Sequence, residues 1–199
     1  SNLGFFIGKN FGNFFRKKKS IIENLHKSKI AINISNNQFV NNILGNYGRI
    51  LAEYPFLKDF RKNKLEQFIS IDGIENLDKI KINNKPVVFI SGHFNNFELM
   101  AMQIEKHGIN LAAIYRPLNN IFLNKTMERI RTKYICRNQI RKGRSGTRQI
   151  LENLKKGNSI ALMIDQRVTE GIKIDFFGNL ASTTTIPAQI IKKYQCDLV

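Results

Sequence analysis

Two cysteines, Cys136 and Cys196, and three histidines, His26, His93 and His107, are all the thiolate and imidazole ligands that the 199 residues offer a metal. No CxxC pair and no Cys/His cluster exists, which excludes a structural zinc site or a disulfide framework as the organising element. Tryptophan is absent, and no run of 18 apolar residues occurs, so no stretch reads as a bilayer-spanning helix. The N-terminus lacks the charged, apolar and small-residue order of a signal peptide. GxSxG, the P-loop, GxGxxG and HExxH are missing as well. Acids are scarce: 15 Asp and Glu stand against 32 Lys and Arg, a formal charge of +17 at pH 7. An excess of that size calls for an anionic counterpart, be it nucleic acid, a lipid headgroup layer or an acidic protein.

What is present suffices for a core. Hydrophobic residues make up 42% and aromatics 10%, over a length that suits one domain, or one domain with an appendage. The chain begins at Ser1 rather than Met and ends on Cys196-Asp197-Leu198-Val199, which reads as a strand beginning. Both ends read as cuts, with an upstream anchor and a further part of the sheet expected beyond them.

Residues 1–69 read as helical, and the division expected is 1–69 as a helical membrane-interface region and 70–199 as an α/β core shortened at its C-terminus. Leu3, Phe5, Phe6, Ile7, Phe11, Phe14 and Phe15 form an aromatic-rich opening followed by Arg16-Lys17-Lys18-Lys19. An apolar face beside a cation cluster suits an interfacial helix on anionic lipid; it equally suits a helix packed on the main domain with a solvated basic run. Val40, Ile43, Leu44, Tyr47, Ile50, Leu51 and Tyr54 recur at helical spacing until Pro55 interrupts them, predicting two helices over Phe39–Phe68. The Asn/Asp/Gly-rich stretch 70–85 reads as a connection with one short strand around Ile69–Ile71.

From Pro86 onward, the apolar runs Val87–Ile90, Leu111–Tyr115 and Ser159–Ile164 alternate with helical patterns over 95–107, 120–134 and 147–156. Short apolar strands alternating with amphipathic helices predict an α/β fold: a central, largely parallel sheet flanked by helices. Ligands in such folds bind beyond the carboxyl ends of the strands. Directly after the three runs stand Ser91-Gly92-His93-Phe94-Asn95-Asn96-Phe97-Glu98, Arg116-Pro117-Leu118-Asn119-Asn120 and Asp165-Gln166-Arg167. A His, a nearby Glu, an Arg and an Asp thus gather on one rim.

Two residues five apart on one helix lie roughly 140° apart in azimuth and do not meet. His93 and Glu98 therefore pair only if His93 precedes the helix, with Gly92 permitting the turn, Asn95 or Asn96 as N-cap and Glu98 in the first turn. A carboxylate on one ring nitrogen leaves the other as general base; the competing reading is a loop His in ordinary hydrogen bonds and a Glu that satisfies the helix end. Ser91 stands too close along the chain to His93 for an ordinary nucleophile and base pair. Residues 129–148 hold Arg129, Arg131, Lys133, Arg137, Arg141, Lys142, Arg144 and Arg148 without one acid, which suits phosphates, an acidic protein or anionic lipid. The aromatics do not interleave with these cations, which argues against a stacking platform for single-stranded nucleic acid.

Ser91–Leu99 resembles the SGHxGNWE block of the bacterial lipid A biosynthesis (late lauroyl/myristoyl) acyltransferases of the lysophospholipid acyltransferase superfamily. In the same order, Tyr115–Asn120 resembles the YRPLxNP block, Ala161–Gln166 the strand ending in DQ, and Phe176-Phe177-Gly178 with Thr183-Thr184-Thr185 the FFG and TTT segment; the basic run with Ile22-Glu23-Asn24-Leu25 resembles the family's basic RRxxxxxNL stretch. Asn95 replaces the usual Gly, Phe97 the usual Trp and Asn120 the usual Pro. The resemblance implies a catalytic pair at His93 and Glu98, a substrate-binding Arg at Arg116 and the strand-end Asp at Asp165; Asn96 beside the pair, with Arg141 and Arg144 of the basic stretch, are further candidate substrate-binding residues. It implies transfer of an acyl chain from acyl carrier protein, or less often acyl-CoA, to a hydroxyl of a lipid A precursor at the cytoplasmic face of the inner membrane. No metal or organic cofactor and no nucleic acid is implied. Two alternatives stand beside this reading: another glycolipid or glycerolipid acceptor, and a non-catalytic basic module that binds nucleic acid or a membrane surface.

Overall fold

The computed structural model describes residues 1–14 and 17–199, the side chain of Arg144 apart, so Phe15 and Arg16 of the aromatic and basic opening lie outside the described residues. The chain forms two compact units, Ser1–Phe56 with Arg167–Thr183, and Leu57–Gln166 with Thr184–Val199.

The first unit contains α1 (Asn2–Phe11), α2 (Lys18–Ser28) and α3 (Asn36–Glu53). Ser35 starts α3 by accepting the Gln38 N–H at 3.2 Å. Ile21 of α2 packs on Val40 and Leu44 of α3, all three buried. Against α1, α3 presents its backbone. A Cβ on Gly4 would fall 2.6 Å from the Gly48 carbonyl oxygen, and one on Gly48 would fall 2.7 Å from the Gly8 Cα. Glycines that break the helical pattern in the sequence are thus the contact itself. Gly4 and Gly8 are buried while Leu3, Phe6, Ile7 and Phe11 are exposed. The unit also carries an antiparallel hairpin of β5 (Ile172–Phe176) and β6 (Asn179–Thr183), numbered by their place in the chain.

The second unit is an α/β layer structure. Its sheet contains β1 (Val88–Ser91), β2 (Leu111–Tyr115), β3 (Asn138–Arg141) and β4 (Ser159–Met163), all parallel in the order β1-β4-β2-β3. Around it run α4 (Leu57–Arg61), α5 (Ile74–Asn83), α6 (Glu98–Lys106), α7 (Ile121–Ile130), α8 (Arg144–Lys155) and α9 (Ile186–Tyr194). Val88, Ala112, Ile140, Ile160 and Leu162 meet Ile150 and Leu154 of α8 and Ile190 of α9 in one buried cluster. The alternate strand residues Phe89, Leu111 and Ala161 are buried too, as a sheet covered on both faces requires. At the end of the chain Leu198 pairs in parallel with Val88.

Three local expectations differ. The stretch 70–85, expected as a connection, holds α5, and Ile69–Ile71 forms no strand: Ile74, Leu77 and Ile80 recur at helical spacing, Gly73 at φ +76° opens the helix and Asn84 at φ +48° closes it. Asn138–Arg141, inside the cationic stretch, is an edge strand that buries only Ile140. The third is the β5–β6 hairpin, where the tight Phe177-Gly178 turn is flanked by strands exposed on both sides, so no alternation marks it.

Candidate active site

The register of the sheet builds the site. Val88 to Ser91 pair with Ile160 to Met163 at a constant offset, and the Ile164 N–H continues the ladder to the Ser91 carbonyl at 2.9 Å. Two residues further along each chain, His93 and Asp165 face one another. The Asp165 carboxylate bridges His93: Oδ2 accepts the His93 backbone N–H at 2.8 Å, and Oδ1 lies 2.7 Å from ring Nδ1. Gly92 is buried beneath this turn, where a Cβ would strike the Phe94 ring at 2.8 Å and reach Asp165 Oδ2 at 3.4 Å. The Phe97 ring packs edge-on against the imidazole at 4.7 Å.

Burial raises the Asp165 carboxyl, but the hydrogen bonds from the His93 backbone and ring, with the charge of the imidazole, outweigh it and hold the group below the usual carboxylate range. An ionised carboxylate only accepts, so in the neutral ring Nδ1 carries the proton and Nε2 keeps a lone pair. The Gln166 amide Nε2 is 3.4 Å from that Nε2, a long contact that an incoming hydroxyl can displace. The His93 side chain is 30% exposed, open to a reactant.

Glu98, which the five-residue spacing pointed to as the partner of the ring, gives its Oε1 instead to Arg131, at 2.8 Å from Nε and 2.5 Å from the second guanidinium nitrogen. The carboxylate on Nδ1 is that of Asp165. Glu98 is the first residue of α6, only 5% exposed, and Phe97 rather than Asn95 or Asn96 occupies the N-cap; Asn95 takes φ +41° in the preceding turn. The carboxylate nearest to His93 in space is not the one nearest in sequence. The placing of β4 beside β1 brings in a carboxylate from 72 residues away.

The other expected residues spread along the rim. Asn96 is half-buried in the turn before α6 and its carbonyl accepts the Leu99 N–H at 3.1 Å. Arg116 is exposed just past β2, two strands from β1, about 10 Å along the rim at the usual strand spacing. Arg141 ends the edge strand β3, paired with Tyr115 of β2 and exposed. Arg144 begins α8, and its side chain lies outside the described parts. The rim therefore runs from an imidazole and carboxylate at β1 and β4 to cations at β2 and β3.

Against known families, the model of the bacterial lipid A biosynthesis acyltransferase family matches residues 4–199. The chain belongs to that family. It is 29% identical over 122 residues to a lipid A biosynthesis palmitoleoyltransferase of Escherichia coli (strain K12) and to a lipid A biosynthesis acyltransferase of Shigella flexneri, an alignment that takes in 60% of this chain. The chain spans about two fifths (38%) of the length of these relatives.

Within this family member, a polar network missed in the sequence holds the loop that carries Arg116. The Leu118 N–H donates to Asn124 Oδ1 at 2.8 Å, Asn124 Nδ2 donates to Glu128 Oε1 at 2.8 Å, and the Tyr115 hydroxyl donates to the same Glu128 oxygen. Asn124 is buried, and the Arg131 guanidinium lies 5.9 Å from the Tyr115 ring centre. The bonds from Tyr115 and Asn124 draw Glu128 below the usual carboxylate range. Burial and then the bond to Glu128 push the Tyr115 hydroxyl up to about 12. The signal was present: Asn124, Glu128 and Arg131 stand at i, i+4 and i+7, one face of a helix, where polar residues at buried-face spacing imply partners for one another.

Proposed function

We propose that the chain carries the acyl-transfer chemistry of a lipid A acyltransferase, with His93 as general base. In this reading a hydroxyl of a lipid A precursor gives its proton to His93 Nε2 as its oxygen attacks the carbonyl carbon of an acyl thioester borne by acyl carrier protein or, less often, coenzyme A. The carbon–sulfur bond breaks and the leaving thiolate takes the proton back. Asp165 holds the ring and favours the imidazolium formed part-way. The observation that carries the reading is the doubly bonded His93–Asp165 pair, which leaves Nε2 as the accessible basic nitrogen. Arg116 suits the developing oxyanion or an acceptor phosphate, and Arg141 and Arg144 further anionic groups of donor or acceptor. Glu98 with Arg131 supports the start of α6 directly after the base.

The place of action in this reading is the cytoplasmic face of the inner membrane, on anionic lipid. Among the described residues no helix is long and apolar enough to cross a membrane. The exposed Leu3, Phe6, Ile7, Phe11 and Phe14 precede Lys17–Lys19, the composition of an interfacial contact. The test is acyl transfer to a lipid A precursor from acyl carrier protein. His93→Ala is expected to lower the rate by a factor of about 10² to 10⁴, and transfer at the parent rate overturns the assignment. Asp165→Asn is expected to lower kcat more than it raises KM, because the base is disturbed while the binding cations remain.

A further inference from the structure

The FFG segment is a sequence block that the proposed reaction leaves unused, and the structure places it at the tip of the β5–β6 hairpin. Phe177 and Gly178 form the turn with φ +55° and +69°. That region suits Gly, whereas a bulky residue there is an outlier that points to a role for its side chain. The Phe176 and Phe177 rings stand edge to face at 4.7 Å, and both are exposed, at 61% and 49%.

We propose that this tip is a lipid anchor that enters the interfacial layer of an anionic bilayer. The inference rests on the membrane-surface reading above and adds a second point of contact within the same unit as α1. Three observations carry it. One face of the hairpin exposes Ile172, Ile174 and Phe176, while Leu180 shares the other with Lys173, Asp175 and Ser182. The turn also satisfies its own backbone, since Asp175 Oδ1 accepts the Gly178 N–H at 3.1 Å and the Phe177 carbonyl accepts from Asn179 Nδ2 at 2.8 Å. Entering a medium poor in water then strips fewer unpaired polar groups.

The third observation is charge. Asn179 Nδ2 also donates to the Lys27 carbonyl at 2.8 Å, which ties the tip to the end of α2. The Lys29 ammonium lies 4.0 Å from where a Cβ on Gly178 would stand. Lys27 and Lys29 are exposed, and the acid nearest in sequence to the tip, Asp175, is engaged by the turn. Rings flanked by ammonium groups match an interface where acyl chains meet anionic headgroups.

The test is sedimentation of the purified chain with phosphatidylethanolamine and phosphatidylglycerol vesicles, set against phosphatidylcholine vesicles. Phe177→Gly suits the turn conformation, so its melting temperature is expected to hold or rise while partitioning to anionic vesicles falls about tenfold. Lys27→Glu with Lys29→Glu is expected to weaken binding and flatten its dependence on salt. Because the chain contains no tryptophan, a Phe176→Trp variant reports the tip alone, and its emission is expected to shift to the blue only when vesicles are added. If the parent chain ignores anionic vesicles, the anchor and the membrane reading both fall. If the parent binds but Phe177→Gly binds equally and the reporter does not shift, the anchor alone is overturned. A blue shift without vesicles means that protein covers the tip, which also overturns it.

Discussion

The sheet unit and the α1–α3 unit meet their packing requirements in opposite ways. At the rim of the sheet, side chains hold one another: Asp165 bridges His93, Glu98 takes Arg131, and Asn124 links Leu118 to Glu128. In Ser1–Phe56 the closest approach is backbone on backbone through Gly4, Gly8 and Gly48, and large apolar side chains face outward. The proposed roles of the two units fit the difference. A site that moves protons needs fixed polar atoms, and directional hydrogen bonds supply them. A surface that meets lipid needs its apolar groups turned out, and a helix pair can spare them only if something smaller makes the contact between the helices.

The contrast is most sharply tested at Glu98. Glu98→Ala takes the carboxylate away from the Arg131 guanidinium, whose side chain is 14% exposed, and the expected loss is about 3–5 kcal/mol of unfolding free energy in denaturant titration. A loss near zero would mean that the rim is not held by polar pairs.

On the other unit, Gly8→Ala places a methyl against the Leu44 carbonyl and 2.9 Å from the Gly48 Cα. Overpacking of about 1–3 kcal/mol outweighs the gain in helix propensity of about 1 kcal/mol, so the melting temperature is expected to fall. A rise would show that the helices do not need their close approach.

The smallest effect is at Tyr115, where Phe removes one hydrogen bond at a cost of about 0.5–1.5 kcal/mol. Alkaline absorbance titration of the parent should show one of its five tyrosines ionising near pH 12, and that step should vanish in Tyr115→Phe. Since the folded value lies above the ordinary value near 10, this contribution to stability is complete below pH 10 and is lost as pH rises toward 12. A parent with every tyrosine titrating near 10 would remove the network from the rim.

Much of the fold was legible because it rests on periodicity. Val88–Ser91, Leu111–Tyr115 and Ser159–Met163 are strands within a residue or so of the apolar runs, since parallel strands covered on both faces must be apolar throughout. Asn138–Arg141 was hidden because an edge strand buries one residue in four, and its Arg and Lys neighbours read as a solvated run. The glycines of α1 read as interruptions, for their role depends on a second helix that supplies matching glycines some 40 residues away.

The same division holds at the site. The positions of His93, Arg116 and Asp165 on the rim were legible from their places just after apolar runs, the strand ends where such a sheet opens toward ligand. Which carboxylate holds the imidazole was a question of strand order, and adjacent sequence favoured Glu98. Periodicity records which residues a chain must bury, and that information is local. Partners are set by which strands lie side by side, and the insertion of β4 between β1 and β2 is what put Asp165 on His93 and left Glu98 to Arg131.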